Sequence, residues 1–207
     1  MRTRFRSGFS VIELVIVLAI VAILALLVVP SMKTWIANSK VRTIAESLQN
    51  DLRTAQSEAL KRSRQVVFVM TTSTTQKTGN VSLAAASTSG SNWYADVLPV
   101  TSGNDDTANV FLFSTIGSQY GATVATKNSG SATAVLCFSS EGRLASNSST
   151  GLSFSCTVPS GTSLMTFDLS LSGADRPLRV EVQQGGRVRV CDPAKVLSST
   201  VPDGCTS

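Results

Sequence analysis

The side chains able to do chemistry in this chain are few and oddly placed. Among its 207 residues there is no histidine, and there are four cysteines. Lack of His removes the usual general base, every Ser-His-Asp or Cys-His arrangement and the commonest metal ligand. A non-enzymatic role is therefore expected, with no catalytic residue, no cofactor and no metal. Three features remain. One carboxylate, Glu13, stands near the start of the apolar run that fills most of the stretch RFRSGFSVIELVIVLAIVAILALLVVP, residues 4–30. Four thiols stand at Cys137, Cys156, Cys191 and Cys205, and three arginines, Arg179, Arg187 and Arg189, crowd a strand-like stretch near the C-terminus.

A carboxylate at membrane depth costs roughly 2.5–3.5 kcal/mol even on lenient insertion scales, so a segment that had only to anchor would do better without it. Arg2, Arg4 and Arg6 ahead of the run suit a secretory signal, but no small-x-small cleavage site follows and the helical pattern continues past Pro30. A plain anchor fits better. As a helix, Phe9 to Val29 is about 30 Å long, and the arginines place the N-terminus in the cytoplasm. That reading still leaves Glu13 without a reason.

Gly8-Phe9-Ser10-Val11-Ile12-Glu13 resembles the processing site of type IV pilins and type II secretion pseudopilins: a short basic leader ending in Gly, then Phe, with Glu fifth in the mature chain. The resemblance implies that prepilin peptidase cuts between Gly8 and Phe9 and that Phe9 is methylated at its new N-terminus. It also implies that Glu13 pairs in a filament with the ammonium of a neighbouring subunit, since a buried acid is tolerable once paired. Pro30 stands where many pilins carry a helix-bending proline, and a kink or local loosening is expected there.

The leader also explains the charge. Formal net charge is +5, but taking Arg2, Arg4 and Arg6 from the 18 basic residues leaves 15 against 13 acidic ones. Bulk charge then says little about partners, and any basic patch must be argued locally.

The elements that position these residues follow from periodicity. Beyond Pro30, Val41, Ile44, Leu48, Leu52, Ala55 and Ala59 recur at three and four residues, which predicts an amphipathic continuation of the same helix with one stripe against a sheet. After Arg64 short β-prone runs alternate with Ser, Thr, Gly and Asn. Strands are expected at 65–71, 93–100, 110–114, 134–139, 152–158, 164–172, 178–183 and 187–191, joined by long polar pieces at 72–92 and 101–109. The expected fold is α+β, a long N-terminal helix packed on an antiparallel β-rich head. Its expected parts are a leader at 1–8, a membrane and filament-core helix at 9–30, an amphipathic half at 31–64, and a periplasmic head with a C-terminal hairpin and tail at 65–207.

Four cysteines allow three pairings in an oxidising compartment. Cys137 with Cys156 within the sheet and Cys191 with Cys205 closing the tail join nearest neighbours in sequence. A zinc site built from all four is the rival.

The segment from Ala55 to Arg62 followed by a β run, and the ending Gly186-Arg187-Val188-Arg189-Val190-Cys191, resemble the GspH/FimT branch of minor pilins and pseudopilins, FimU-like members included. The resemblance implies a minor pilin that packs by its helix among other pilins and acts at the tip or in assembly initiation. It also implies residence in the bacterial inner membrane before assembly and on the cell-surface pilus after it. A GspH-like pseudopilin of type II secretion is an alternative. In some FimT proteins the Gly-Arg-x-Arg motif is implicated in DNA binding for natural transformation, which makes Arg179, Arg187 and Arg189 candidate DNA contacts.

The hairpin itself gives these arginines a second reading. A three-residue turn at Gln184-Gly185-Gly186, with Gly in the left-handed position, pairs Val182 with Val188 and Glu181 with Arg189, whereas a two-residue turn would set Val182 opposite Arg189. In the favoured register Arg189 forms a cross-strand ion pair with Glu181, worth up to about 1 kcal/mol. Arg187 has no such partner.

Overall fold

A computed structural model of the chain describes residues 10–75, 85–98, 109–128, 130–148, 155–161 and 164–206, with the side chains of 26–30 left out. Gly8 and Phe9, with the leader arginines, lie outside the described residues, as does most of the polar piece at 101–109.

Helix α1 runs without a break from Val11 to Arg62, through Pro30. It ends because Ser63 turns into the left-handed region (φ 51°, ψ 37°). The Ser63 and Arg64 amides then donate to the Leu60 and Ala59 carbonyls, a Schellman-type ending that satisfies the last turn. Lys61 and Arg62 complement the helix dipole there, and both pair with Glu58. From Val41 onward the expected stripe is fully buried: Val41, Ile44, Leu48, Leu52, Ala55 and Ala59 are all within 1% of zero exposure. Each of the larger ones contributes about 1.5–3 kcal/mol by leaving water.

The head consists of two sheets. The first, in order β3-β2-β1-β6, is antiparallel and comprises β1 (Val66–Thr71), β2 (Asn92–Val97), β3 (Asn109–Ser114) and β6 (Val135–Phe138). The second has the order β10-β9-β8-β7-β4-β5. It comprises β4 (Thr123–Asn128), β5 (Ser131–Ala132), β7 (Met165–Ser170), β8 (Leu178–Val182), β9 (Val188–Val196) and β10 (Gly204–Cys205). A short helix α2 (Ile116–Tyr120) joins β3 to β4. Strand β1 reads VVFVM because it is buried on both faces. Helix α1 touches β1, β7, β8 and β9 and so sits against both sheets, while Phe68 of β1 meets Phe167 of β7 edge to face at 6.5 Å.

The structure departs from the sequence-based expectation in four places. Strands β4, β5 and β10 and helix α2 were not expected. β4 carries one large inward apolar residue, Val124, in an alternating polar stretch, and β5 and β10 are two residues each, too short for any period to show. Among the described residues 155–161 there is no strand, only a bridge from Cys156 to Asn147. Consequently Cys137, in β6, is joined to Cys156 in an irregular segment instead of within the sheet. Finally, β9 continues to Val196 and pairs β10 in parallel, within a head that is otherwise antiparallel as expected.

Candidate assembly surface and C-terminal corner

Two places gather the chemistry-bearing residues: the free end of α1 and the corner formed by β8, β9 and the tail. At the first, every described side chain from Val11 to Ala25 is exposed on all sides of the helix, and Glu13 lies among them in the first turn. Ser10 and Glu13 have the spacing of a capping box, but Ser10 makes no side-chain cap. Glu13 instead benefits from the positive end of the helix dipole and has no ion-pair partner among the described residues. A carboxylate so placed can accept a cation from outside the chain. Among the described residues no helix is long and apolar enough to cross a membrane, the described side chains of the run stopping at residue 25.

At the second place the favoured register is the one formed, with Val182 opposite Val188 and Glu181 opposite Arg189. The turn closes through Gln183 N–H to the Arg187 carbonyl at 3.0 Å and Gly186 N–H to the Gln183 carbonyl at 2.8 Å. Gly186 is required twice over. Its φ is +88°, and a Cβ there would stand 2.1 Å from the Gly142 carbonyl oxygen.

Glu181 and Arg189 do not form the exposed pair that alternation of the hairpin suggests. Glu181 is fully buried, and Arg189 Nε lies 3.4 Å from its Oε2 with only 13% of the arginine side chain exposed. The tail provides the cover. Thr206 donates to Glu181 through its amide at 3.0 Å and its hydroxyl at 2.9 Å, and Arg189 Nη2 donates to the Gly204 carbonyl. The Cys191–Cys205 disulfide holds β10 in this position. Covering converts a weak surface pair into a buried one, in which each charge depends on the other for solvation.

Arg179 is likewise engaged, its Nε 2.5 Å from Asp168 Oδ1 on the neighbouring strand β7. Arg187 alone of the three arginines is exposed and makes no ion pair among the described residues. The basic ridge implied by the sequence is thus reduced to one free guanidinium, because β7 and the tail supply partners that the hairpin alone does not reveal. Asp168 could have been found from the strand alternation of Thr166, Asp168 and Ser170. Thr206 and Gly204 had no local signal.

All four cysteines are bonded, Cys137 to Cys156 and Cys191 to Cys205, so no thiolate remains to hold zinc. Glu181 lies beside the second disulfide, but its oxygens are already taken by Thr206 and Arg189. A further buried contact, missed from sequence, ties helix to sheet: the Trp93 indole donates to Asp51 Oδ2 at 2.7 Å. Burial holds the Asp51 carboxyl above its ordinary range, with this hydrogen bond pulling the other way.

Comparison with known proteins covers the N-terminal run and the head as far as the hairpin turn. The model of the prokaryotic N-terminal methylation motif matches residues 3–29. Two solved structures are similar, both of the type IV minor pilin FimU of Pseudomonas aeruginosa strain PAO1, in space groups P21 and P65. They share 20% and 21% identity at TM-scores of 0.48 and 0.45, covering 81% and 79% of this chain and 96% and 98% of theirs. No curated relative matches at a significant level. The family model described as type II transport protein GspH matches residues 45–186, from the buried half of α1 to the hairpin glycine, and the chain accordingly belongs to the GspH family of minor pilins and pseudopilins.

Proposed function

We propose that this protein is a minor pilin, a non-enzymatic subunit that packs by the free half of α1 among other pilins and presents its head near the tip or where assembly begins. The observation that carries this reading is the contrast along one helix: Val11 to Ala25 exposed all round, the apolar stripe from Val41 to Ala59 buried against the head. Apolar surface of that extent is stable only when something outside the chain covers it. Glu13 is the one charge in that surface and would be neutralised by the methylated ammonium of a neighbouring Phe9. Before assembly the cover is the inner membrane, with the head in the periplasm, as the absence of any charge between Glu13 and Lys33 suits.

In this reading residues 1–8 are the leader, 9–30 the membrane and filament-core helix, 31–64 the amphipathic half and 65–207 the head. Intact-mass measurement of membrane-extracted protein tests it. The expected product lacks residues 1–8 and carries one added methyl on Phe9. A mature chain beginning beyond Pro30 would sink the proposal. A role as a minor pseudopilin of type II secretion is favoured by the description of the matching family and shares this processing. A DNA-binding role would rest on Arg187, since Arg179 and Arg189 are engaged within the chain.

A further inference from the structure

Helix α1 leaves the head at Ala37, its first buried residue among those described, and two surface elements grip it just above that point. On one side the loop 171–177 is hooked by Asn38, whose Nδ2 donates to Asp175 Oδ1 at 2.6 Å and whose Oδ1 accepts the Asp175 and Arg176 amides at 3.1 Å. On the other, Lys40 Nζ stands 5.6 Å from the ring centroid of Tyr120, the last residue of α2. These two elements, which meet α1 where it leaves the head, make up the base of the head.

The base is cationic and aromatic. Arg176 and Lys33 are exposed, Lys40 is half-buried, Trp35 is 69% exposed and Tyr120 38%. Residues 31–40, 116–121 and 171–177 contain one acid, Asp175, and its carboxylate is held by Asn38. Along the helix, Asn38 stands about 12 Å above Pro30. The polar layer of a bilayer extends about 5–7 Å beyond its hydrocarbon. With the apolar run in a membrane and Pro30 at the edge of the hydrocarbon, Lys33, about 4.5 Å above it, falls in that layer and Trp35, about 7.5 Å above it, at its outer edge. Lys40, Tyr120 and Arg176 fall within about one Debye length of it, close enough for long cationic side chains to reach phosphate.

We infer that this base docks on anionic phospholipid headgroups of the membrane that holds the free half of α1, through Lys33, Lys40 and Arg176 with Trp35 and Tyr120 at the interface, before the subunit enters a filament. The inference rests on the membrane insertion proposed above. Docking would hold the head upright on its loop and α2, and would be released when neighbouring subunits replace the lipid.

The test uses the full chain reconstituted in nanodiscs of phosphatidylcholine, with and without about 30 mol% phosphatidylglycerol. Hydrogen exchange is followed at residues 116–121 and 171–177. The expected result is exchange at least about threefold slower in the anionic discs at low salt, with the difference removed by about 0.5 M salt and by Lys40→Gln with Arg176→Gln. Equal exchange in both discs overturns the docking while leaving insertion intact. Failure to co-elute with either disc overturns insertion itself. Protection that follows protein concentration and not lipid charge assigns the base to a neighbouring subunit and overturns the docking.

Discussion

The free half of α1 and the C-terminal corner break the ordinary rule of apolar inside and charged outside, in opposite directions. The helix leaves Val11, Ile12, Leu14, Ile16, Leu18 and Ile23 more than half exposed, whereas the corner buries Glu181 completely against Arg189. The difference lies in where the compensation is found. At the corner the buried Glu181 carboxylate finds its partners within the chain, in Thr206 and Arg189, and Arg189 donates on to the Gly204 carbonyl, so the pair is completed on folding. Along the free helix nothing among the described residues compensates, and in the function proposed above that surface is completed by a membrane or other subunits. A stability measurement should therefore see the corner and be nearly blind to the free helix, while an assembly measurement should see the reverse.

The sharpest test of that contrast is Glu181→Ala. Removing one partner leaves Arg189 buried without its counter-charge and Thr206 without an acceptor, and the expected loss is about 3–5 kcal/mol of unfolding free energy. Denaturant titration of the detergent-solubilised chain checks it. A loss within about 1 kcal/mol would mean that the pair behaves as a surface one and that the tail does not seal it.

A middle case is Asp51, half-buried on the sealed half of α1. Asp51→Ala should lose about 1–3 kcal/mol by stranding the buried Trp93 N–H, whereas Asp51→Asn keeps an acceptor, removes a desolvated charge and should be neutral or stabilising at pH 7. The pH dependence has a definite sign. Burial raises the folded-state affinity of this carboxyl for its proton, so the native state binds more protons than the unfolded one in the carboxylate range. Its contribution to stability therefore grows as pH falls through the folded value and is complete below the unfolded one. Asp51→Asn should flatten that slope. An unchanged slope would assign the pH response to other groups.

The smallest stability effect is expected at the free helix. Leu18→Ala should change unfolding free energy by less than about 0.5 kcal/mol, yet lower the share of the protein recovered in filaments. A large destabilisation of the head would show that the free half packs against its own chain and would erase the contrast.

Local pattern made the long helix, its buried stripe, most strands of the head and the hairpin register legible, because each is written in periods of a few residues. Val41 to Ala59 repeat at helical spacing, and the parity of Val180, Val182, Val188 and Val190 permits a shared apolar face with a three-residue turn. The nearest-neighbour cysteine pairs, at sequence separations of 19 and 14, are the ones the fold brings together, with Cα atoms 5.7 and 5.0 Å apart. Glu13 stood out from sequence as one acid in an apolar run. What only the tertiary structure decided was the fate of the arginines. A guanidinium is exposed or buried according to what the rest of the chain lays over it: Asp168 came from another strand, and Gly204 and Thr206 came from a tail with no periodicity. Short strands such as β5 and β10 form because a neighbouring strand offers an edge, β4 for the first and β9 for the second, with the Cys191–Cys205 disulfide also holding β10, and the edge is not written in their own residues.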